Sequence, residues 1–237
     1  MRPAAGVIPA RFQSTRFPGK PLALIKGRPM IQWVWEAAQS ARYLAKVVIA
    51  TDDERIFEAS LKFGAQAVMT SSGLQSGTER VAEAANNMDF PIIINIQGDE
   101  PLLKGALVDD LVLALQDERV SMSSLMARVQ GLSGIQEKDR VKVVVDHDGF
   151  ALYFSRSPIP FLARDFYFLH IGCYGYQRDF LFRFCGLAPS FLEKAENLEQ
   201  LRALENGYRI KMIETSARTL SVDSPQDIIE VERLLGD

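Results

Sequence analysis

Pro91-Ile92-Ile93-Ile94-Asn95-Ile96, running straight into Gln97-Gly98-Asp99-Glu100-Pro101, is the stretch on which the fold turns. Successive side chains of a strand point to opposite faces, so a run this nearly all apolar needs cover on both sides. That is the condition of a central strand in a parallel sheet with helices above and below. The polar turn that follows falls where open α/β sheets place their ligands, beyond the carboxyl ends of the strands.

Working outward, Gly6-Val7-Ile8-Pro9-Ala10 is a second short apolar run that also enters a polar loop, and residues 46–50 form a third, ending at Thr51-Asp52-Asp53. Pro29 opens a helical stretch in which Ile31, Val34, Trp35 and Ala38 recur on one face. Residues 53–63 read as another helix, stopped by Gly64. Strand and helix alternate, which argues for a mostly parallel sheet. The second half differs. Residues 141–146 and 150–155 are β-rich and separated by the turn signal His147-Asp148-Gly149, so an antiparallel hairpin is added to the sheet. Residues 169–176 read as a further strand and 196–205 as one helix ended by Asn206-Gly207. Ser224-Pro225-Gln226-Asp227 combines an N-cap, a proline at the first helical position and an acidic residue reaching back, so a closing helix follows. No repeat or long linker breaks the 237 residues, and we read one domain.

With 47% hydrophobic and 24% charged residues, the composition is that of a globular protein. A net charge of −3 argues against nucleic acid as a partner, so any bound anion needs a local basic cluster. The opening Met1-Arg2-Pro3-Ala4-Ala5 and the short run broken by Pro9 and Arg11 read as neither signal peptide nor membrane span, and no membrane insertion is expected. Cys173 and Cys185 lack metal-ligand spacing and sit among apolar residues, so reduced thiols and a cytoplasmic location are expected.

Three constellations carry chemistry. In Pro9-Ala10-Arg11-Phe12-Gln13-Ser14-Thr15-Arg16-Phe17-Pro18-Gly19-Lys20, three cations lie among hydroxyls and a glycine directly after a buried strand. A polyphosphate needs this mix of guanidinium forks, a mobile ammonium and close backbone approach. The pattern is not a Walker A loop, and a basic loop can also be plain solvated surface. In the 97–101 turn, Asp99 is placed to hold a hard cation bound to phosphates, with Asp223 as candidate partner. Either aspartate could instead be a turn residue, and sequence distance does not show that they meet. The third, residues 70–80, is rich in hydroxyl and amide groups without net charge, which suits a base edge and ribose. It also reads as a loop followed by a helix capped at Thr78.

The string I-P-A-R-x-x-S-T-R-x-P-G-K-P-L at 8–22 resembles the opening of the CMP-Kdo synthetases, a family within the sugar nucleotidyltransferases. Similar segments continue in order: A-T-D-D at 50–53, S-G-T-E-R at 76–80, N-I-Q-G-D-E-P at 95–101, A-L-Y-F-S-R-S-P-I-P at 151–160, H-I-G-C-Y-G-Y at 170–176, L-E-Q-L-R-A-L-E at 198–205 and V-D-S-P-Q-D at 222–227. The likeness spans essentially the whole chain, and the second-half segments point to Kdo (3-deoxy-D-manno-octulosonate) in particular. It implies an α/β fold: one nucleotidyltransferase domain over 1–237 with a mostly parallel, Rossmann-like (glycosyltransferase-A-like) mixed sheet, helices on both faces and an added hairpin. Residues of about 1–120 would bind nucleotide, and those of about 121–237 would bind sugar and dimerise.

The resemblance further implies transfer of CMP from CTP to Kdo with release of pyrophosphate, activating the sugar for lipopolysaccharide synthesis. Pro9, Ala10, Arg11, Ser14, Arg16 and Lys20 would hold the nucleotide, with Arg11, Arg16 and Lys20 on the phosphates. Thr70, Gln75, Ser76, Gly77 and Gln97 would face the cytidine, and Asp99 and Asp223 would coordinate Mg2+. Arg156, His170, Tyr174, Glu199 and Gln200 would line the sugar site of a homodimer. Read without the family, His170 fits a satisfied core histidine and Glu199 a helix-surface partner of Arg202. A related acid sugar, 8-amino-Kdo or a sialic acid, stays open as substrate. A regulatory protein that has lost catalysis would show erosion of Arg11, Arg16, Lys20, Asp99 or Asp223, and all are present. Residues 160–169 form a shorter connection than in many family members, so sugar-site closure or the dimer contact is expected to differ.

Overall fold

A computed structural model describes residues 1–13, 17–217 and 219–236. Ile92–Asn95 is indeed a central strand, β6, and every residue of it is buried. The other strands are β1 (Ala4–Ala10), β2 (Leu24–Ile25), β3 (Arg28–Pro29), β4 (Leu44–Thr51), β5 (Gln66–Met69), β7 (Met122–Gln130), β8 (Lys142–Val145), β9 (Ala151–Ser155), β10 (Phe166–Gln177) and β11 (Ile210–Thr215). Among the described residues the main sheet has nine strands, with the path β11-β7-β10-β6-β1-β4-β5, while β2 and β3 pair separately. β6, β1, β4 and β5 are mutually parallel, and β11 is parallel to β7. β10 runs antiparallel between β6 and β7. The hairpin β8–β9 joins through β8 against β10, and Gly149 takes φ +75° at its turn.

The helices are α1 (Met30–Gln39), α2 (Glu54–Lys62), α3 (Gly77–Ala85), α4 (Gly105–Ala114), α5 (Arg178–Cys185), α6 (Phe191–Glu196), α7 (Leu201–Glu205) and α8 (Pro225–Leu234). The alternation within the apolar strands assigns the two faces. Ile8, Ile49, Ile92 and Ile94 pack with Ile31 and Val34 of α1, Ile56 of α2 and Leu107 and Leu111 of α4. Val7, Val48, Ala50 and Ile93 pack with Val81 of α3, Phe180 and Phe184 of α5 and Leu201 of α7. Helices therefore cover both faces, as the nearly all-apolar β6 requires. A third, smaller core of Ile25, Met30, Val222 and Val231 fastens α8 to the β2–β3 corner.

Three local expectations are corrected. Pro29 stands one residue before α1, in the cap position; Met30 joins Ile31, Val34 and Ala38 as buried residues of the helix, and half-buried Trp35 packs against the core of the last three. The helix expected over 196–205 is two helices, because Asn197 adopts φ +53° and ends α6, a conformation asparagine tolerates. α6 itself begins earlier, at a capping box of Ser190 and Glu193. The cap of α3 is Ser76, whose hydroxyl accepts the Glu79 N–H, and not Thr78. The closing helix forms as read, with Asp227 accepting the Ser224 N–H at 2.7 Å.

Candidate functional site

β1 and β6 are adjacent and parallel, with Val7 beside Asn95, so both deliver their polar turns to the same edge of the sheet. Between those turns lies a cleft of about 290 Å3 lined by Pro9, Ala10, Arg11, Lys20, Ser76, Gly77, Arg80, Gln97, Gly98, Asp99 and Asp223, among others. The close approach of the two turns needs Gly98: a Cβ there would stand 3.0 Å from the Pro9 carbonyl oxygen. Ser14, expected to bind the nucleotide, and Arg16, expected on its phosphates, lie outside the described residues.

The floor of the cleft is ionic. Gly19, at φ +72°, turns the chain into a short 3-10 segment, Lys20–Leu22, that aims Lys20 inward. The Lys20 ammonium donates to Asp99 Oδ2 at 2.6 Å and to the Val222 carbonyl at 2.9 Å, and lies 3.6 Å from Asp223 Oδ1. Thus the expected phosphate cation and both expected metal carboxylates meet at one point. The third core builds this junction: buried Val222 donates its N–H to the Asp99 carbonyl at 2.9 Å, which sets Asp223 beside Asp99. The Asp227 carboxylate accepts the Asp223 N–H at 2.9 Å. Glu100, buried behind this pair, has its carboxyl pushed up to about 8, first by desolvation and then by the negative Asp99 and Asp223. Its surroundings favour the neutral form. Among the described residues, no group of three or more His, Cys, Asp or Glu is arranged to hold a metal by itself.

Of the residues expected to face cytidine, Ser76, Gly77 and Gln97 line the cleft, and Thr70 and Gln75 do not. Thr70 is buried, its hydroxyl accepting from Arg80 Nη1. Gln75 is exposed and folds back, donating its amide to the Gly73 carbonyl at 2.9 Å. Both short polar side chains are consumed by the loop's own structure. The residue that sequence reading missed is Arg80, 3% exposed, paired with Asp52 at 2.8 Å and lining the cleft. A buried arginine needs a carboxylate, and the nearby Asp52 of the A-T-D-D segment was the available signal.

The residues expected in the sugar site lie directly after β9 (Arg156), on β10 (His170, Tyr174) and on the turn between α6 and α7 (Glu199, Gln200). His170 meets Phe154 edge-on at 4.9 Å and Tyr174 at 5.5 Å, and its Nε2 lies 2.9 Å from Ser124 Oγ. Burial pushes the imidazole down to about 3, so it is neutral. Burial, reinforced by Glu199, keeps the Tyr174 phenol protonated. Glu199 does not pair with Arg202, which is bidentate to Glu193 at 2.5 and 2.8 Å; it accepts from the Thr78 hydroxyl at 2.5 Å. Gln200 is buried, and its Nε2 has no hydrogen-bond partner. Arg156, expected to line the sugar site, is engaged by the protein's own backbone. Its fork donates to the carbonyls of Glu196 at 2.8 Å, Lys138 at 3.1 Å and Asn197 at 3.3 Å. Its N–H donates to the Glu196 carboxylate at 2.9 Å. Cys173 is buried and Cys185 half-buried; both are free thiols, and desolvation pushes Cys185 up to about 12, so neither is a nucleophile.

The family model described as cytidylyltransferase matches residues 5–213. The 3-deoxy-manno-octulosonate cytidylyltransferase of Solibacter usitatus is 52% identical, covering 98% of this chain and 94% of the relative. That of Geotalea daltonii is 46% identical over 98% of this chain and 97% of its own length. Among solved structures, a CMP:2-keto-3-deoxy-manno-octonic acid synthetase complexed with CTP superposes with a TM-score of 0.94 at 41% identity, covering 99% of this chain and 98% of that one.

Proposed function

The chain belongs to the 3-deoxy-manno-octulosonate cytidylyltransferase family, and from that premise we propose that it transfers CMP from CTP to Kdo, releasing pyrophosphate. The observation that carries the reading is the convergence of Lys20 with Asp99 and Asp223 at the mouth of β1 and β6. Residues far apart in sequence there assemble a cation for phosphate beside two carboxylates. Transfer of this kind asks for positioning and charge neutralisation rather than a covalent nucleophile.

In this reading the anomeric hydroxyl of Kdo attacks the α-phosphorus and pyrophosphate leaves in line. Arg11, Arg16 and Lys20 take up the charge of the departing pyrophosphate. Ser76, Gly77 and Gln97 present hydroxyl, backbone and amide groups to the cytidine. Two adjacent carboxylates, completed by substrate phosphate oxygens, are a donor set that suits Mg2+, which binds through one or two carboxylates plus phosphates. Asp99 and Asp223 would hold the ion, which when bound supplies charge neutralisation and a lowered pKa for the attacking hydroxyl. The neutral His170, the protonated Tyr174, Glu199 and the unpartnered Gln200 amide offer the mixed donors and acceptors that a polyol requires. Arg156 frames that region by clamping the 196–197 turn.

A homodimer is the expected assembly, and exposed Leu152, Phe161, Leu162 and Phe191 support it. The two free thiols support a cytoplasmic enzyme, and among the described residues no helix is long and apolar enough to cross a membrane. A pyrophosphate-release assay with CTP and a panel of acid sugars tests the reading: Kdo should be the best acceptor, and a clear preference for 8-amino-Kdo or a sialic acid would redirect it.

A further inference from the structure

Beneath the cleft a line of polar groups, buried at its centre and half-buried at its two ends, joins the nucleotide half of the site to the sugar half. It begins at Gln97, whose Nε2 donates to Asn95 Oδ1 at 3.3 Å. Asn95, on β6 and 1% exposed, donates its own amide to Thr78 Oγ1 at 3.5 Å. Thr78, on α3 and 4% exposed, donates its hydroxyl to Glu199 Oε2 at 2.5 Å across 121 residues of sequence. The Tyr176 phenol lies against the same hydroxyl.

An ionised carboxylate only accepts, and that fact sets the direction of the whole line. With Glu199 accepting, the Thr78 hydroxyl must donate, and its lone pairs are left for the Asn95 amide nitrogen. Asn95 is thereby turned so that its carbonyl faces Gln97, and Gln97 commits one N–H to it. One N–H and the carbonyl of Gln97 then remain for the cleft it lines. Glu199 needs such an anchor because it sits between α6 and α7, where the backbone has left helical geometry at Asn197. Asn95 and Thr78 are buried, where a polar side chain is costly unless satisfied, and this line satisfies both.

We infer that Thr78 is a positioning residue of the transfer reaction: its hydroxyl holds the Glu199 carboxylate toward the sugar and, through Asn95, fixes the amide of Gln97. The inference rests on the proposed placement of Glu199 at the sugar. Thr78→Val keeps the β-branched shape and removes only the hydroxyl, while Thr78→Ser keeps the hydroxyl. Steady-state kinetics with Kdo and CTP varied separately, alongside Tm, provide the test. Thr78→Val should raise the KM for Kdo by about tenfold, the worth of one hydrogen bond to a charged group, and the KM for CTP by about threefold or less, because the Gln97 amide is reached only through the weaker neutral bond from Asn95 at 3.5 Å. Thr78→Ser should restore the Kdo KM. Glu199→Gln should show the same selective Kdo defect, and the double variant Thr78→Val/Glu199→Gln should be no worse than Glu199→Gln alone, because the two act as one unit. If Thr78→Val does not yield folded protein, Thr78→Ala takes its place in the cycle. A normal Kdo KM in Thr78→Val or Thr78→Ala beside a defective Glu199→Gln overturns the role of Thr78, as do additive effects in the double variant. A normal Kdo KM in Glu199→Gln removes Glu199 from the sugar site and the inference with it.

Discussion

Replacing Arg156 by alanine separates two roles for this side chain. As a fork reserved for a substrate carboxylate, it would contribute nothing to the stability of the protein alone. In the structure it ties the 138 region to the 196–197 turn through three backbone carbonyls, at 2.8, 3.1 and 3.3 Å. The shortest of these is shielded and charge-assisted, worth about 1–1.5 kcal/mol; the two at the exposed rim add a few tenths each, for about 2 kcal/mol in all. In a domain of this size each kcal/mol moves Tm by about 2–4 °C, so Arg156→Ala should lower Tm by roughly 4–8 °C. Arg156→Lys recovers only part of this, since one ammonium cannot span the three carbonyls that the planar fork reaches. Differential scanning calorimetry without substrates is the assay. The KM for Kdo should also rise, because the clamped turn precedes Glu199 and Gln200. An unchanged Tm with a rise in the Kdo KM alone would refute the clamp and return Arg156 to the role of a free carboxylate fork.

Asp99→Asn should nearly abolish turnover, a loss of at least about 3 kcal/mol of transition-state stabilisation, while circular dichroism shows an intact fold. Turnover above about a tenth of the parent's would remove Asp99 from the chemistry. CTP should be preferred over UTP and ATP by at least about 100-fold in kcat/KM, because a hydrogen-bonding site rejects mismatched groups strongly. Comparable values for CTP and ATP would sink the cytidine assignment. The third expectation concerns pH. The fold lowers His170 to about 3 from an unfolded value of about 6.5, so over that window the unfolded chain binds the proton more readily. Its contribution to stability is complete above about pH 6.5 and is lost as pH falls toward 3. Nitrogen-15 spectra should show the His170 imidazole still neutral at about pH 5, and a midpoint near 6.5 would contradict its burial.

What could be read from sequence was what chain-local physics decides. The nearly all-apolar β6 announced cover on both faces, His147-Asp148-Gly149 announced the hairpin, and Ser224-Pro225-Gln226-Asp227 announced the start of α8. The antiparallel course of β10 between β6 and β7 was not visible, because register between strands far apart in the chain leaves no local mark. The break at Asn197 escaped for a related reason: the residues on either side favour helix, and only the αL conformation of one asparagine divides them. In the site, the basic loop and the Asp99 turn stood out because charge beside a buried strand is rare. That Asp223 joins them depends on Val222 reaching across to the Asp99 carbonyl, a backbone bond that composition does not encode. Thr70 and Gln75 were read as ligand groups from their chemistry alone, whereas Arg80 and Gly73 occupy them. The same loop held the Thr78 hydroxyl, read as a helix cap, whose partner lies 121 residues away.

The central claim is that the α-phosphate of CTP passes to Kdo. CTP carrying a radiolabel at the α-phosphorus, and in a parallel reaction at the γ-phosphorus, should be incubated with the enzyme, Mg2+ and Kdo and the products separated. The α-label should appear in a CMP–sugar conjugate and the γ-label in pyrophosphate, both dependent on Kdo. Label released as inorganic phosphate, or γ-label carried into the sugar product, would contradict it.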